Sequence, residues 1–137
     1  MDIYKYRDKV IIDDYAHHPT EIKSIFDTID SNYQDKPKAV IFQPHLYTRT
    51  RDLMDDFAKV LSYFHEVYLL DIYPAREKPI NGITSEVLLN KIDASKKEIV
   101  KKVEINDVIN NTNCKTIAIL GAGDLTVNLN KKIFTNE

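Results

Sequence analysis

Two histidines stand side by side at positions 17 and 18, behind Asp13-Asp14-Tyr15-Ala16 and ahead of Pro19-Thr20-Glu21. Carboxylate and neutral imidazole accept hydrogen bonds or ligate cations, whereas imidazolium donates to anions. Asp14, His17 and His18 are therefore candidates to hold a phosphate, a metal or a ribose. The plain structural alternative makes Asp14 and His18 caps of the following helix and His17 a solvated turn residue. Zinc is a poor fit, because no Cys-x-x-Cys or His-x-x-x-His pair is there to complete its ligand set. A second group is His45, Arg49 and Arg51 in Gln43-Pro44-His45-Leu46-Tyr47-Thr48-Arg49-Thr50-Arg51. The guanidinium fork matches carboxylate and phosphate. Arg49 and Arg51 lie two residues apart in a polar loop, so they need not face the same way. Arg51 could instead pair with Asp55 at a solvated helix start. Gly121-Ala122-Gly123-Asp124 is half of a dinucleotide fingerprint without the third glycine; a glycine turn with Asp124 as a helix cap explains it as well. No Gly-x-x-x-x-Gly-Lys-Ser/Thr, serine elbow or catalytic dyad accompanies these groups. The chain offers side chains to grip a charged ligand and no complete machinery to transform one.

The scaffold that must position them is written in the apolar pattern. Val10-Ile11-Ile12 reads as a buried strand. Pro19 suits the first helical position, and Ile22, Ile25, Phe26 and Ile29 follow at helical spacing. The histidine pair thus falls on a strand-to-helix turn, where open α/β sheets bind ligands and helix N–H groups favour anions. The same alternation recurs along the chain. It predicts an edge strand at 3–7 paired with 10–13, a helix at about 20–31 and a strand at 39–42. A helix starting at Asp52 carries Leu53, Met54, Phe57, Val60 and Leu61 inward, and a strand at 66–72 leads into a long loop at 73–82. Thr84 or Ser85 caps a helix bearing Val87, Leu88 and Ile92. A weak strand at 98–102, a short helix at 106–111, a buried strand at 116–120 and a last helix with Leu125, Leu129 and Ile133 complete the chain. The expected fold is α/β: a three-layer Rossmann-like domain with a mostly parallel sheet of about six strands, helices on both faces and one antiparallel edge strand. Asp14, His17, His18, His45, Arg49, Arg51, Tyr73, Arg76 and Asp124 then collect on one rim of that sheet. His65 falls in a helix-to-strand link, on the surface.

A length of 137 residues suits one domain with a core of its own. With 43% hydrophobic and 29% charged residues, the chain belongs among globular proteins and not among disordered ones. A net charge of -2 argues against a nucleic-acid binder that works by bulk electrostatics. The single cysteine, Cys114, excludes an internal disulfide and suits a reducing cytosol; beside the apolar run from Ile117 it reads as a buried thiol. No stretch approaches the roughly 20 apolar residues of a membrane span. The first residues lack the apolar segment of a signal peptide, so a cytoplasmic location is expected.

Four blocks carry a family resemblance: Asp13-Asp14-Tyr15-Ala16-His17-His18-Pro19-Thr20-Glu21; Phe42-Gln43-Pro44-His45-Leu46-Tyr47-Thr48-Arg49-Thr50-Arg51-Asp52; Asp71-Ile72-Tyr73-Pro74-Ala75-Arg76-Glu77-Lys78-Pro79-Ile80; and Gly121-Ala122-Gly123-Asp124. In this order they resemble the C-terminal domain of the Mur ligases, with the second block most like the L-alanine-adding members. The resemblance implies that residues 1–137 form the lid domain of a three-domain cytosolic enzyme of peptidoglycan synthesis. The UDP-sugar-binding and ATP-binding domains would lie outside this chain, and the rest of the same polypeptide would be its partner. It implies an ATP-dependent ligase that joins L-alanine to UDP-N-acetylmuramate through an acyl phosphate, with ATP and magnesium held mainly by the central domain. Carried over by position, Asp14, Tyr15 and His18 would serve the nucleotide. His17, Arg49 and His45 would meet the reacting groups, and Arg51 and Tyr73 would contact substrate. Some members carry an arginine where this chain has Leu46. Two other readings stay open: a stand-alone Rossmann-like module binding a nucleotide or another anion, and the related tripeptide-recycling muramate ligase.

Overall fold

The computed structural model describes residues 1–33, 36–121 and 135–136, the last two as backbone. Seven strands form one sheet: β1 (Asp2–Tyr6), β2 (Lys9–Asp14), β3 (Lys38–Gln43), β4 (Glu66–Leu69), β5 (Lys96–Ile99), β6 (Thr116–Gly121) and β7 (Thr135–Asn136). Their order is β5-β4-β3-β6-β2-β1-β7. The five strands from β5 to β2 run parallel, and β1 is antiparallel to both β2 and β7. Five α-helices fall among the described residues: α1 (Pro19–Asn32), α2 (Tyr47–Asp52), α3 (Met54–Leu61), α4 (Ser85–Asn90) and α5 (Ile105–Asn111).

The inner strands are apolar through their middles because both faces are covered. Side chains alternate between the faces at a period of two. Ile12, Val40, Phe42, Val67, Leu69, Ala118 and Leu120 pack with Ile22 and Ile29 of α1, Phe57 and Leu61 of α3 and Leu88 of α4. Ile11, Ala39, Ile41, Tyr68, Ile117 and Ile119 point the other way, onto Ile105 and Ile109 of α5 and the buried Cys114. This is the expected three-layer α/β fold.

Several local expectations need correction. The strand at 3–7 is not the sheet edge, because β7 pairs outside it, Tyr4 opposite Asn136 and Lys5 opposite Thr135. The regular ladder at 66–72 ends at Leu69, although the Leu70 N–H still donates to the Phe42 carbonyl at 3.0 Å. The weak strand begins earlier, at Lys96, and residues 102–104 form a 3₁₀ turn. The helix expected from Asp52 starts at Tyr47 and is interrupted at Leu53 (φ -117°, ψ 20°) before α3 resumes at Met54. Leu125, Leu129, Ile133 and the helix placed on them lie outside the described residues.

At the amino ends of the strands a polar knot closes the second face. The Tyr68 hydroxyl donates to Glu66 Oε1 at 2.5 Å, the Thr112 hydroxyl donates to the same oxygen at 2.7 Å, and the Cys114 N–H donates to Thr112 Oγ1 at 3.1 Å. Burial pushes the Glu66 carboxyl up, but these hydroxyl donors and the Lys96 charge together carry it below its ordinary value. Burial and Glu66 hold the Tyr68 phenol protonated. Glu66→Ala leaves both hydroxyls without their acceptor, so it should cost about 1–3 kcal/mol in urea unfolding. Because the folded carboxyl is the stronger acid, its contribution is complete above the ordinary carboxylate range and is lost as the pH falls below it. The difference between parent and variant should therefore shrink in acid.

Candidate functional site

The site is built where the parallel strands end. Asp14 closes β2, Gln43 closes β3 and Gly121 closes β6, with Gly121 directly opposite Gln43. Gly121 has φ +137°, and a Cβ placed on it would stand 2.8 Å from the Gln43 carbonyl oxygen. The bare backbone is what lets the two strand ends meet so closely.

After β2 the chain turns into α1. Asp14 does not cap that helix: its Oδ1 accepts from the Ala16 N–H at 2.8 Å. His18 occupies the N-cap position by its backbone (φ -127°, ψ 145°) without a side-chain cap bond. Glu21, in the first turn, reaches back past the N-cap, and its Oε1 accepts from the His17 N–H at 3.1 Å. His17 Nδ1 lies 2.8 Å from the Tyr15 carbonyl oxygen. A carbonyl only accepts, so Nδ1 carries the proton, and in the neutral ring Nε2 carries the lone pair. Glu21 Oε1, 3.6 Å from the same Nδ1, would offset charge on the imidazolium.

The second turn brings His45 alongside. Its ring centroid is 6.2 Å from that of His17 and 5.3 Å from that of Tyr73. Arg49, half-buried on α2, places Nη1 3.5 Å from the His45 carbonyl oxygen, a marginal hydrogen bond. No carboxylate among the described residues pairs with it. Arg51 differs: Nε donates to Asp52 at 2.8 Å, while Asp55, its expected partner, sits 3.5 Å from Lys91 Nζ. Because residues 49 and 51 are helical and not in a loop, their side chains diverge by about 200° around the axis.

The long loop after β4 is tied to this turn along its first third. Gln43 Nε2 donates to the Asp71 carbonyl at 3.1 Å, Tyr73 N–H to Pro44 at 2.8 Å, and Leu46 N–H to Tyr73 at 2.8 Å. Glu77 then takes both the Thr48 N–H (3.1 Å) and the Thr48 hydroxyl (2.5 Å). Gln43 and Glu77 were not singled out in the sequence. Their partners lie 28 and 29 residues away, beyond the range of any local pattern.

His17, His45, Arg49 and Tyr73 therefore form one cluster, with Asp14 and the exposed Tyr15 just before His17 on the same turn. His18 parts from its neighbour and lines a separate groove of about 420 Å³ between α1 and α3, with Lys23, Lys59 and Tyr63. Arg76 is exposed, as is His65, whose Nδ1 accepts from the Lys38 N–H at 3.1 Å. Ala122, Gly123 and Asp124 lie outside the described residues.

The family model described as "Mur ligase, glutamate ligase domain" matches residues 1–127. The chain belongs to the Mur ligase family. Over 116 residues, 85% of this Mur ligase domain, it is 47% identical to the UDP-N-acetylmuramate–L-alanine ligase of Christiangramia forsetii. A 48% identical stretch of 120 residues relates it to the ligase of the same name in Phocaeicola vulgatus. The chain spans about a quarter of the length of these relatives, 26% in both cases. Among solved structures it matches the UDP-N-acetylmuramate-alanine ligase MurC of Thermotoga maritima with a TM-score of 0.65 and 26% identity, covering 87% of this chain and 24% of that one. A domain from a ligase of Haemophilus ducreyi, 15% identical, shares the fold at a TM-score of 0.65 and is covered over 91% of its length.

Proposed function

We propose that this domain is the C-terminal lid of an ATP-dependent ligase that forms an amide between L-alanine and UDP-N-acetylmuramate. The observation that carries the reading is the convergence of His17, His45 and an Arg49 guanidinium that has no carboxylate partner among the described residues, in a chain whose 47% identical relative bears that ligase name. Arg49 would take the carboxylate of the amino acid. The lone pair on His17 Nε2 would accept a hydrogen bond from its amine and hold it toward the acyl phosphate. His45 and Tyr73, with ring centroids 5.3 Å apart, would stand beside the same groups and help to exclude water from a hydrolysis-prone intermediate once the other domains close on them. Arg51, engaged by Asp52, would meet substrate only by giving up that pair.

The nucleotide would touch this domain at its periphery. The Tyr15 ring is 73% exposed and free to stack on a base, and Asp14 can accept from ribose hydroxyls. His18 would approach the nucleotide from the other side of the turn. Among the described residues no group of three or more His, Cys, Asp or Glu side chains is arranged to hold a metal ion. By the family resemblance, magnesium, the phosphates and the UDP-sugar would be held by the rest of the ligase. No helix of the described residues is long and apolar enough to cross a membrane.

The isolated 137-residue chain should release no phosphate from ATP in the presence of L-alanine and UDP-N-acetylmuramate. The full-length ligase should do so only when all three are present. Turnover by the chain alone would overturn the lid reading. Micromolar binding of a nucleotide to it in calorimetry would favour the stand-alone module. Full-length activity with the tripeptide but not with L-alanine would point to the recycling ligase.

A further inference from the structure

Three residues with strained backbones surround one contact. Of the four described non-glycine residues with positive φ, Leu46 (+74°) precedes α2, while Ala75 (+46°) and Arg76 (+75°) form the centre of a single turn. That turn runs from Pro74 to Glu77 and is closed by the Glu77 N–H donating to the Pro74 carbonyl at 2.9 Å. Two consecutive positive-φ residues make a turn that normally takes Asn-Gly or Asp-Gly, yet here it is Ala-Arg. Such strain persists only where surrounding contacts over-determine it, and it gathers at sites under functional constraint. The turn delivers the Glu77 carboxylate to Thr48, the first-turn residue next to Arg49, and Leu46 is the bend that aims α2 toward it.

We infer that Glu77 is a positioning residue for Arg49: by gripping the amide and the hydroxyl of Thr48, its carboxylate sets where the α2 guanidinium stands against His17 and His45. Arg49 has little else to hold it, since among the described residues its one hydrogen bond, to the His45 carbonyl, is 3.5 Å long. The inference rests on the proposal that Arg49 binds the amino-acid carboxylate. The Thr48 donors hold the Glu77 carboxyl below its ordinary range, so the grip is ionised at neutral pH. Glu77 itself stays out of the cluster and touches no reacting group.

The test is steady-state kinetics on the full-length ligase with four single variants and one double variant. Glu77→Ala should raise KM for L-alanine about tenfold, with KM for ATP unchanged, because a misplaced clamp loses its own ligand and no other. Glu77→Gln keeps an oxygen for the Thr48 N–H and should recover most of the loss. Thr48→Val removes only the hydroxyl, should raise the same KM about threefold, and serves if Glu77→Ala fails to fold. Arg49→Ala is the reference, and adding Glu77→Ala to it should worsen nothing further. If Glu77→Ala lowers Tm but leaves KM for L-alanine within about twofold while Arg49→Ala is impaired, Glu77 is structural and the inference falls alone. If Arg49→Ala is silent, the reading of the site falls, and the inference with it.

Discussion

Arg49→Ala should lower kcat/KM for L-alanine in the full-length ligase by about 100-fold or more. Removing one member of a desolvated charge pair costs about 2–5 kcal/mol, much of it from the partner charge left without a counterpart. Here the stranded charge would be the carboxylate of the amino acid, enclosed by His17, His45 and Tyr73. Arg49→Lys should recover only part of the activity, since an ammonium is a point charge and cannot present two parallel N–H groups. Arg51→Ala should cost far less, because Asp52 already engages that guanidinium on an exposed surface, where ion pairs contribute little. Initial rates at varied L-alanine with ATP and UDP-N-acetylmuramate saturating decide the matter. Equal losses for Arg49→Ala and Arg51→Ala would remove Arg49 from its role.

Gly121→Ala should destabilise the domain by about 3 kcal/mol, a fall in Tm on the order of 10 °C. Two costs add. At φ +137° any side chain strains the backbone, and the new methyl would meet the Gln43 carbonyl oxygen at 2.8 Å and its nitrogen at 3.3 Å. Neither neighbour can give way, because Gln43 is in the sheet ladder and its side chain is tied to Asp71. Relief would have to come from separating the ends of β3 and β6, which would also shift His45 two residues on. Thermal unfolding monitored by circular dichroism reads the first effect, and loss of L-alanine saturation in the full-length ligase reads the second. A Tm within about 2 °C of the parent would show that the strand ends are not held as tightly as these contacts require.

Much of the scaffold could be read from the sequence alone. The apolar runs at β2, β3, β4 and β6 and the inward faces of α1 and α3 are strong periodic signals. The rim also emerged, because each polar stretch directly followed a buried strand. What stayed hidden was set by contacts between distant residues. Tyr47-Thr48-Arg49-Thr50-Arg51-Asp52 has no apolar period and looks like a loop; it is helical because Glu77 satisfies its first turn and the Thr50 hydroxyl bonds back to the Leu46 carbonyl at 2.8 Å. The loop at 73–82 reads in the sequence only as a long connection, yet its first half is fastened to the site through Tyr73 and Glu77. The parting of His17 and His18 follows from where the turn hands over to α1: one ring stays with the strand end, and the other leans onto the α1–α3 groove.

The place of β6 in the sheet has a consequence for biosynthesis. It lies between β2 and β3, yet about 100 residues separate it from β2 along the chain. Until Thr116 emerges from the ribosome, residues 1–115 can make only a β1–β2 hairpin and a β3–β4–β5 ribbon, each with a naked inner border and no wedge to join them. Nascent chains stalled before Thr116 should therefore be the species that chaperones bind and proteases clear, and the domain should lock into place in one late step as that strand emerges.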